Sequence, residues 1–339
     1  MYNLKYKMKN LVYFGSPEFS AQILESIIKS KSVNVVGVVT TPDKPTGRKQ
    51  LLTPSPLALL AEHYHLPTYK PAKLDEANLA HLKLLKPDIF LVVSYGKIVP
   101  QSWLDTPSLG TFNVHFSLLP KYRGALCISE SLKNQDTETG VTLMEMDALL
   151  DHGDIIAQQK VTIDINDNVS TLITKLTQAA KEILEHKLPE ICAQNYAKTP
   201  QDESLATFTP SHRTQTHATA FIPWNTIKNA LTSENSKLSS ETHALIRSLN
   251  PEPGAWTIIP KSPVGVDPRV DPKSTPTEIK ILKTSLINSS LRGGNPTVYP
   301  GQQAGWQSHS TKLIIETVQM PGKQPISWKQ FLSGHPLSR

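Results

Sequence analysis

The sequence predicts an α/β protein: a doubly wound, mostly parallel sheet, followed by a smaller C-terminal β domain. Three observations carry this expectation. Short apolar runs alternate with helical patterns through the first half. The runs Val33–Thr40 and Ile89–Val93 are near-continuously apolar, as strands buried on both faces are. After residue 193 the texture changes to polar, Pro-rich sequence with short separated apolar runs. At 339 residues, two domains are the natural reading. The boundaries read as an N-terminal domain over 1–195, a linker over 196–216 and a C-terminal domain over 217–339.

The elements follow in order. Leu11–Gly15 is a strand that stops at Gly15-Ser16-Pro17. Phe19–Ile28 has helical apolar spacing, with Ser16 suited to the N-cap and Pro17 to the first turn. Leu57–His63 and Asp75–Leu85 read as helices, Thr111–His115 as a fourth buried strand and Gly124–Leu132 as a helix. Val141–Met146 and Ile155–Ile163 read as later strands, and Val169–Leu188 as a long amphipathic helix. Beyond the linker, the spacing predicts a helix over Glu241–Leu249. Short strands are expected at Trp256–Ile259, Ile279–Leu282 and Leu313–Val318, and a Pro-rich mobile loop over Pro263–Pro276.

Composition narrows the function classes. An apolar fraction of 38% and a charged fraction of 19% suit a globular chain. No apolar run approaches the roughly 20 residues of a membrane span. The basic N-terminus lacks a signal-peptide hydrophobic stretch, and Met8 is an alternative start. Cys127 and Cys192 form no CxxC signature, so a reducing cytoplasm is the expected setting. Residues 205–339 carry a balance of +7 and residues 1–204 one of −1. That asymmetry suits a polyanionic partner, or solubility alone.

Gly15-Ser16-Pro17-Glu18-Phe19-Ser20 stands where a dinucleotide fingerprint would begin, but Pro17 and Ser20 replace its later glycines. NAD binding is therefore excluded. No HExxH or comparable metal-ligand spacing occurs among the 11 histidines. The basic loop Thr41 to Gln50 contains Lys44, Arg48 and Lys49. From spacing alone it reads either as a solvated turn or as a phosphate contact.

The segment Asn113-Val114-His115-Phe116-Ser117-Leu118-Leu119-Pro120 carries the chemistry. Asn113 and His115 are two apart on a strand, so their side chains share a face. Buried polar groups there need partners. An amide can steady an oxyanion and an imidazole can carry a proton. Downstream, Asp147, Asp151 and Asp154 surround Gly153. Local sequence does not decide which of them turns inward, and turn chemistry also explains them. No Ser or Cys nucleophile is needed if the attacking group arrives on a substrate.

These residues resemble the methionyl-tRNA formyltransferase family, within the group that uses 10-formyltetrahydrofolate. The resemblance rests on Phe14 to Phe19, on Pro42-Asp43-Lys44-Pro45-Thr46-Gly47-Arg48 with Pro54-Ser55-Pro56, and on Val93 to Pro100. It also rests on Asn113 to Pro120 with Tyr122-Arg123-Gly124-Ala125, on Glu138 to Thr142, and on Asp151-His152-Gly153-Asp154. Ile222-Pro223-Trp224, Asn250 to Trp256 and Gly322 to Ser327 extend it through the C-terminal half. It implies a Rossmann-like domain and a C-terminal barrel resembling an OB fold. It implies Asn113, His115 and Asp151 as the catalytic trio, and no metal. The folate would lie against Ser117, Leu118, Leu119 and Pro120 and against Ser94, Tyr95 and Gly96. Arg48, Lys44 and Lys49 would face initiator methionyl-tRNA. The implied product is N-formylmethionyl-tRNA, made by a cytoplasmic monomer for translation initiation. A sugar-nucleotide formyltransferase and a 10-formyltetrahydrofolate hydrolase are the alternatives. The chain departs from the family at Leu126-Cys127-Ile128-Ser129, at Leu149 and at Gln50-Leu51. The first two bear on pocket shape and the third on grip of tRNA.

Overall fold

In the computed structural model, the described residues are 8–47, 49–232, 235–260, 277–288 and 311–334. The chain forms two compact units. The first comprises 1–127, 137–163 and 172–210. The second comprises 128–136, 164–171 and 211–339.

Strand β1 (Asn10–Gly15) runs into helix α1 (Glu18–Ser30). A Cβ on Gly15 would stand 2.0 Å from Ser20 Oγ and 2.8 Å from the Val93 carbonyl, so the turn closes only around glycine. Pro17, not Ser16, occupies the N-cap of α1, and Ser16 Oγ bonds Thr40 and Thr41 instead. After β2 (Asn34–Val39) the basic segment forms a two-stranded hairpin, β3 (Lys44–Thr46) and β4 (Leu51–Thr53), where the sequence suggested only a loop. Then come α2 (Pro56–His63), β5 (Thr68–Tyr69), α3 (Glu76–Lys83), β6 (Ile89–Val93), α4 (Gln101–Leu104) and β7 (Thr111–His115). They are followed by α5 (Cys127–Lys133), β8 (Glu138–Glu145), β9 (Ile155–Thr162) and α6 (Val169–Cys192).

The seven-stranded sheet has the order β5-β2-β1-β6-β7-β8-β9. Pairing is parallel from β5 to β7 and antiparallel from β7 to β9. The mostly parallel α/β sheet expected from alternating apolar runs, Rossmann-like as the resemblance implies, is thus present, with an antiparallel edge. Strands β6 and β7 are buried at every residue, and Phe14, Phe90, Trp103 and Tyr95 pack beside them. Burial on both faces explains why β6 reads as an unbroken apolar run.

The second unit contains α7 (Trp224–Thr232), α8 (Ser236–Leu249), β10 (Trp256–Ile259), β11 (Thr277–Asn288), β12 (Thr311–Gln319), β13 (Ile326–Ser327) and α9 (Trp328–Gly334). The four strands form an antiparallel sheet in sequence order. Ile222, Ile227, Ile246, Ile279, Ile281, Ile315, Val318 and Phe331 make its core. The Pro263–Pro276 loop lies outside the described residues. Among the described residues, no helix is long and apolar enough to cross a membrane.

Candidate active site

Strand β7 sets the first two groups. Asn113 pairs with Val92 of β6 and Met144 of β8, and His115 lies opposite Thr142 of β8. Both side chains are on one face, as their spacing predicts, and both are over nine-tenths buried. The third group arrives on the turn after β8. Of the three acidic residues there, it is Asp151 that meets them. Its Oδ1 accepts from Asn113 Nδ2 at 3.4 Å, and its Oδ2 lies 3.6 Å from His115 Nδ1. Asp147 instead pairs with His152 at 2.5 Å and caps Leu149 N. Oδ2 of Asp151 also accepts from Gly124 N at 2.8 Å.

The surroundings of His115 favour its charged form. Nε2 lies 2.9 Å from the Tyr122 carbonyl, which can only accept, so Nε2 carries a proton. Nδ1 faces a carboxylate, which favours a proton there too. Burial of the ring opposes the charge. The neighbouring Cys127 sulfur, the Asp151 carboxylate and the Tyr122 carbonyl together outweigh it and raise the imidazole from 6.5 to about 9. His115 is therefore an imidazolium near pH 7. Cys127 belongs to the segment 126–129, which the sequence associated with the shape of the pocket, and its sulfur acts on the imidazole.

The loop after β7 is fastened from β8. Thr142 Oγ1 donates to the Ser117 carbonyl at 2.6 Å and accepts from Leu119 N at 3.1 Å and Gln158 Nε2 at 2.9 Å. Ser117 Oγ donates to the Lys121 carbonyl. Ser117 and Leu119 are buried, so these residues shape the loop more than they offer side chains to a ligand. Pro120 follows a cis peptide. At the end of β6, Ser94 and Gly96 have φ of 53° and 81°. Tyr95 turns into the core, edge-on to Phe14 at 5.6 Å. Its hydroxyl is buried without a hydrogen-bond partner, and burial pushes it up to about 12. Only the backbone of Tyr95 is left to meet a ligand.

On the hairpin, Lys44 and Lys49 are exposed; Arg48 lies outside the described residues. Leu51 and Leu52 beside them are exposed as well. Lys97 donates to the carbonyls of Pro71 and Ala72, and burial, then the charge of Lys44, lowers its pKa. No group of His, Cys, Asp or Glu able to hold a metal occurs among the described residues.

Sequence reasoning missed one contributor. The polar stretch after α6, read as a linker, returns to the site. Gln201 and Glu203 bind Arg123, a residue 2% exposed, and Gln201 also bonds the carbonyls of Asp151 and Gly153. A surface cavity of about 310 Å³ lined by Lys83, Lys86, Pro87, Asp88, Thr106 and Ser108 holds none of the predicted residues. It sits where β6 begins, the wrong end of the strands for ligand binding in a sheet of this kind.

Comparisons with known proteins show the family of the chain. The formyl transferase family matches residues 8–188, and the formyl transferase C-terminal domain matches residues 236–336. The methionyl-tRNA formyltransferase of Staphylococcus epidermidis is 38% identical over 251 residues, covering 74% of this chain and 76% of that protein. That of Kosmotoga olearia is 34% identical, covering 92% and 99%. Among solved structures, an N-formyltransferase from Helicobacter canadensis, in complex with folinic acid and dTDP-3-aminofucose, superposes with a TM-score of 0.57. It is 22% identical and covers 91% of this chain and 99% of that one, a likeness of fold.

Proposed function

The chain belongs to the formyl transferase family, and from that premise we propose that Asn113, His115 and Asp151 are its catalytic trio. The enzyme transfers the formyl group of 10-formyltetrahydrofolate to the α-amino group of methionine on initiator methionyl-tRNA, the step that prepares this tRNA for translation initiation. The observation that supports the trio is one carboxylate lying 3.4 Å from Asn113 Nδ2 and 3.6 Å from His115 Nδ1 at the end of β7.

The roles follow from the donors. The neutral amine attacks the formyl carbon; esterification of its carboxyl draws its pKa below the usual α-amino value of about 8. A C–N bond forms, and the formyl oxygen becomes negative. Asn113 Nδ2 has a second N–H free of Asp151 and donates it to that oxygen. The His115 imidazolium adds positive charge beside it. For direct donation, Nε2 exchanges the Tyr122 carbonyl for the substrate. The bond to N10 of the folate then breaks, and the proton lost by the amine passes to N10, with His115 as relay. Asp151 keeps the imidazole oriented throughout and favours its charged form before and after the relay.

We assign the backbone of Ser94, Tyr95 and Gly96 and the loop Ser117, Leu118, Leu119 and Pro120 to the folate, and Arg48, Lys44 and Lys49 to tRNA. Residues 1–195 are the catalytic domain in this reading and residues 217–339 a tRNA-binding one, joined through 196–216. The excess of +7 over residues 205–339 supports the second assignment. We further infer a monomer at work in the cytoplasm. The deciding assay follows formyl transfer from 10-formyltetrahydrofolate with charged initiator tRNA, a free amino sugar or water as acceptor, in wild type and in Asn113→Ala. Preference for water or for the sugar would replace the proposed acceptor. Full turnover in the variant would remove Asn113 from the trio.

A further inference from the structure

We propose that the segment from Thr199 to Thr209 is a working part of the active site, and that Gln201 is a positioning residue for formyl transfer. The proposal rests on the catalytic trio assigned above.

A single carboxamide joins the two loops that carry the chemistry. Oε1 of Gln201 accepts from Arg123 Nε at 3.1 Å and from Nη2 at 2.8 Å. Nε2 donates to the Asp151 carbonyl at 2.9 Å and to the Gly153 carbonyl at 2.8 Å. All four hydrogen-bonding positions of the amide are used. Asp151 needs such a tie. Its φ is 47°, in the left-handed region, where a residue with a Cβ persists only when its surroundings hold it. A main-chain shift there would swing the carboxylate away from Asn113 and His115.

The other loop is clamped along its length. Arg123 N donates to the Thr207 carbonyl and Thr209 N to the Arg123 carbonyl, both at 2.8 Å. Tyr122 N donates to Thr207 Oγ1 at 2.8 Å, and Leu126 N to Thr209 Oγ1 at 3.2 Å. A Cβ on Gly124, whose φ is +111°, would stand 2.6 Å from that same Oγ1. Residues 122–126 are therefore laid on the strap almost residue by residue. This run supplies the Tyr122 carbonyl that bonds His115 and the Gly124 N–H that bonds Asp151. Glu203 completes the arrangement by taking two further N–H groups of Arg123, at 3.0 and 2.6 Å.

A strap that merely anchored the fold would set stability. One that positions the trio also sets kcat and the protonation of His115, and the two separate experimentally. In Gln201→Leu, kcat for formyl transfer to methionyl-tRNA should fall on the order of 10²-fold, the scale of an ångström's misplacement. The KM for 10-formyltetrahydrofolate should stay nearly unchanged. The high-pH limb of the kcat profile should move to lower pH, because a displaced Asp151 supports the imidazolium less. Gln201→Glu keeps the acceptor for Arg123 and loses both donors to the carbonyls, with little change of size. It should be as impaired as Gln201→Leu. Recovery of kcat in Gln201→Glu would mean that anchoring Arg123 is the whole role, and would overturn the proposal. So would a lowered Tm with wild-type kcat and pH profile in either variant. Asn113→Ala in the same assay separates the two readings. Its inactivity beside fully active Gln201 variants sinks this proposal alone, whereas its full activity sinks the trio and this proposal with it.

Discussion

Each unit of the molecule buries a histidine, one shifted toward the cationic form and the other toward the neutral form. His115 in the first unit is 7% exposed and His243 in the second is 0% exposed. Each sets Nε2 2.9 Å from a main-chain carbonyl, that of Tyr122 or that of Ile165. They differ at Nδ1. His115 Nδ1 faces the Asp151 carboxylate, and the ring, with the Cys127 sulfur beside it as well, rises to about 9 against its burial. His243 meets Thr284 Oγ1 at 2.7 Å and falls to about 4, through burial first and the nearby Arg247 charge as well. Burial alone pushes both down. The groups around the ring, Cys127 and Asp151 in one case and Thr284 and Arg247 in the other, separate a charged imidazole from a neutral hydrogen-bonding one.

The strongest test makes the first histidine resemble the second. Asp151→Asn keeps an acceptor for Gly124 N but removes the charge. The kcat for formyl transfer should drop by about 10³–10⁴-fold, as when an orienting carboxylate is lost from a histidine elsewhere. The high-pH limb of the profile should move down from near 9. A limb left in place would dissociate Asp151 from the state of His115. Asn113→Ala measures what the amide adds to the imidazolium. Removing one oxyanion donor should cost about 3–4 kcal/mol, roughly 10²–10³ in kcat, with folate KM held.

Thr284→Val sharpens the other side of the comparison. Nδ1 of His243 would keep its buried lone pair without a donor, which should destabilise the protein by about 1–3 kcal/mol in denaturant melts. An unchanged midpoint would mean that water reaches the ring. The smallest effect is on pH and stability. The folded pKa of His115 is raised, so its contribution is full below 6.5 and is lost as pH rises through about 9. That of His243 is lowered, so its contribution is full above 6.5 and is lost as pH falls through about 4. Against wild type, His115→Gln should flatten the alkaline fall in Tm, and His243→Gln the acid fall. A uniform offset in both variants would contradict the assignment.

The same contrast explains what the sequence could disclose. Asn113 and His115 were legible because a strand's period of two is local and the flanking residues are apolar. Asp151 was only one of three acids in a turn, and its selection depends on a bond to Asn113 across 38 residues. The strap was read as a linker because Thr, Ser, Gln and Pro carry no periodicity. Its bonds to Arg123 span 78 and 80 residues. The β3–β4 hairpin was read as a loop for a different reason. Pro45 argues against a strand in general, but it sits in an isolated two-stranded ribbon where an edge position tolerates it. His243 gave no signal, since a lone histidine on an amphipathic helix looks the same whatever its ring meets.

Thr142 has a consequence for which substitutions the enzyme can tolerate. Its hydroxyl has one proton and two lone pairs, and all three are engaged by Ser117, Leu119 and Gln158. Valine matches its shape and supplies none of these bonds, and serine supplies all of them. A saturation library at position 142, sorted by formylation in cells, should therefore return threonine and serine alone. The path of the loop after β7 is written into a different strand, so drift at Ser117–Pro120 is restrained by a residue that need never touch a substrate.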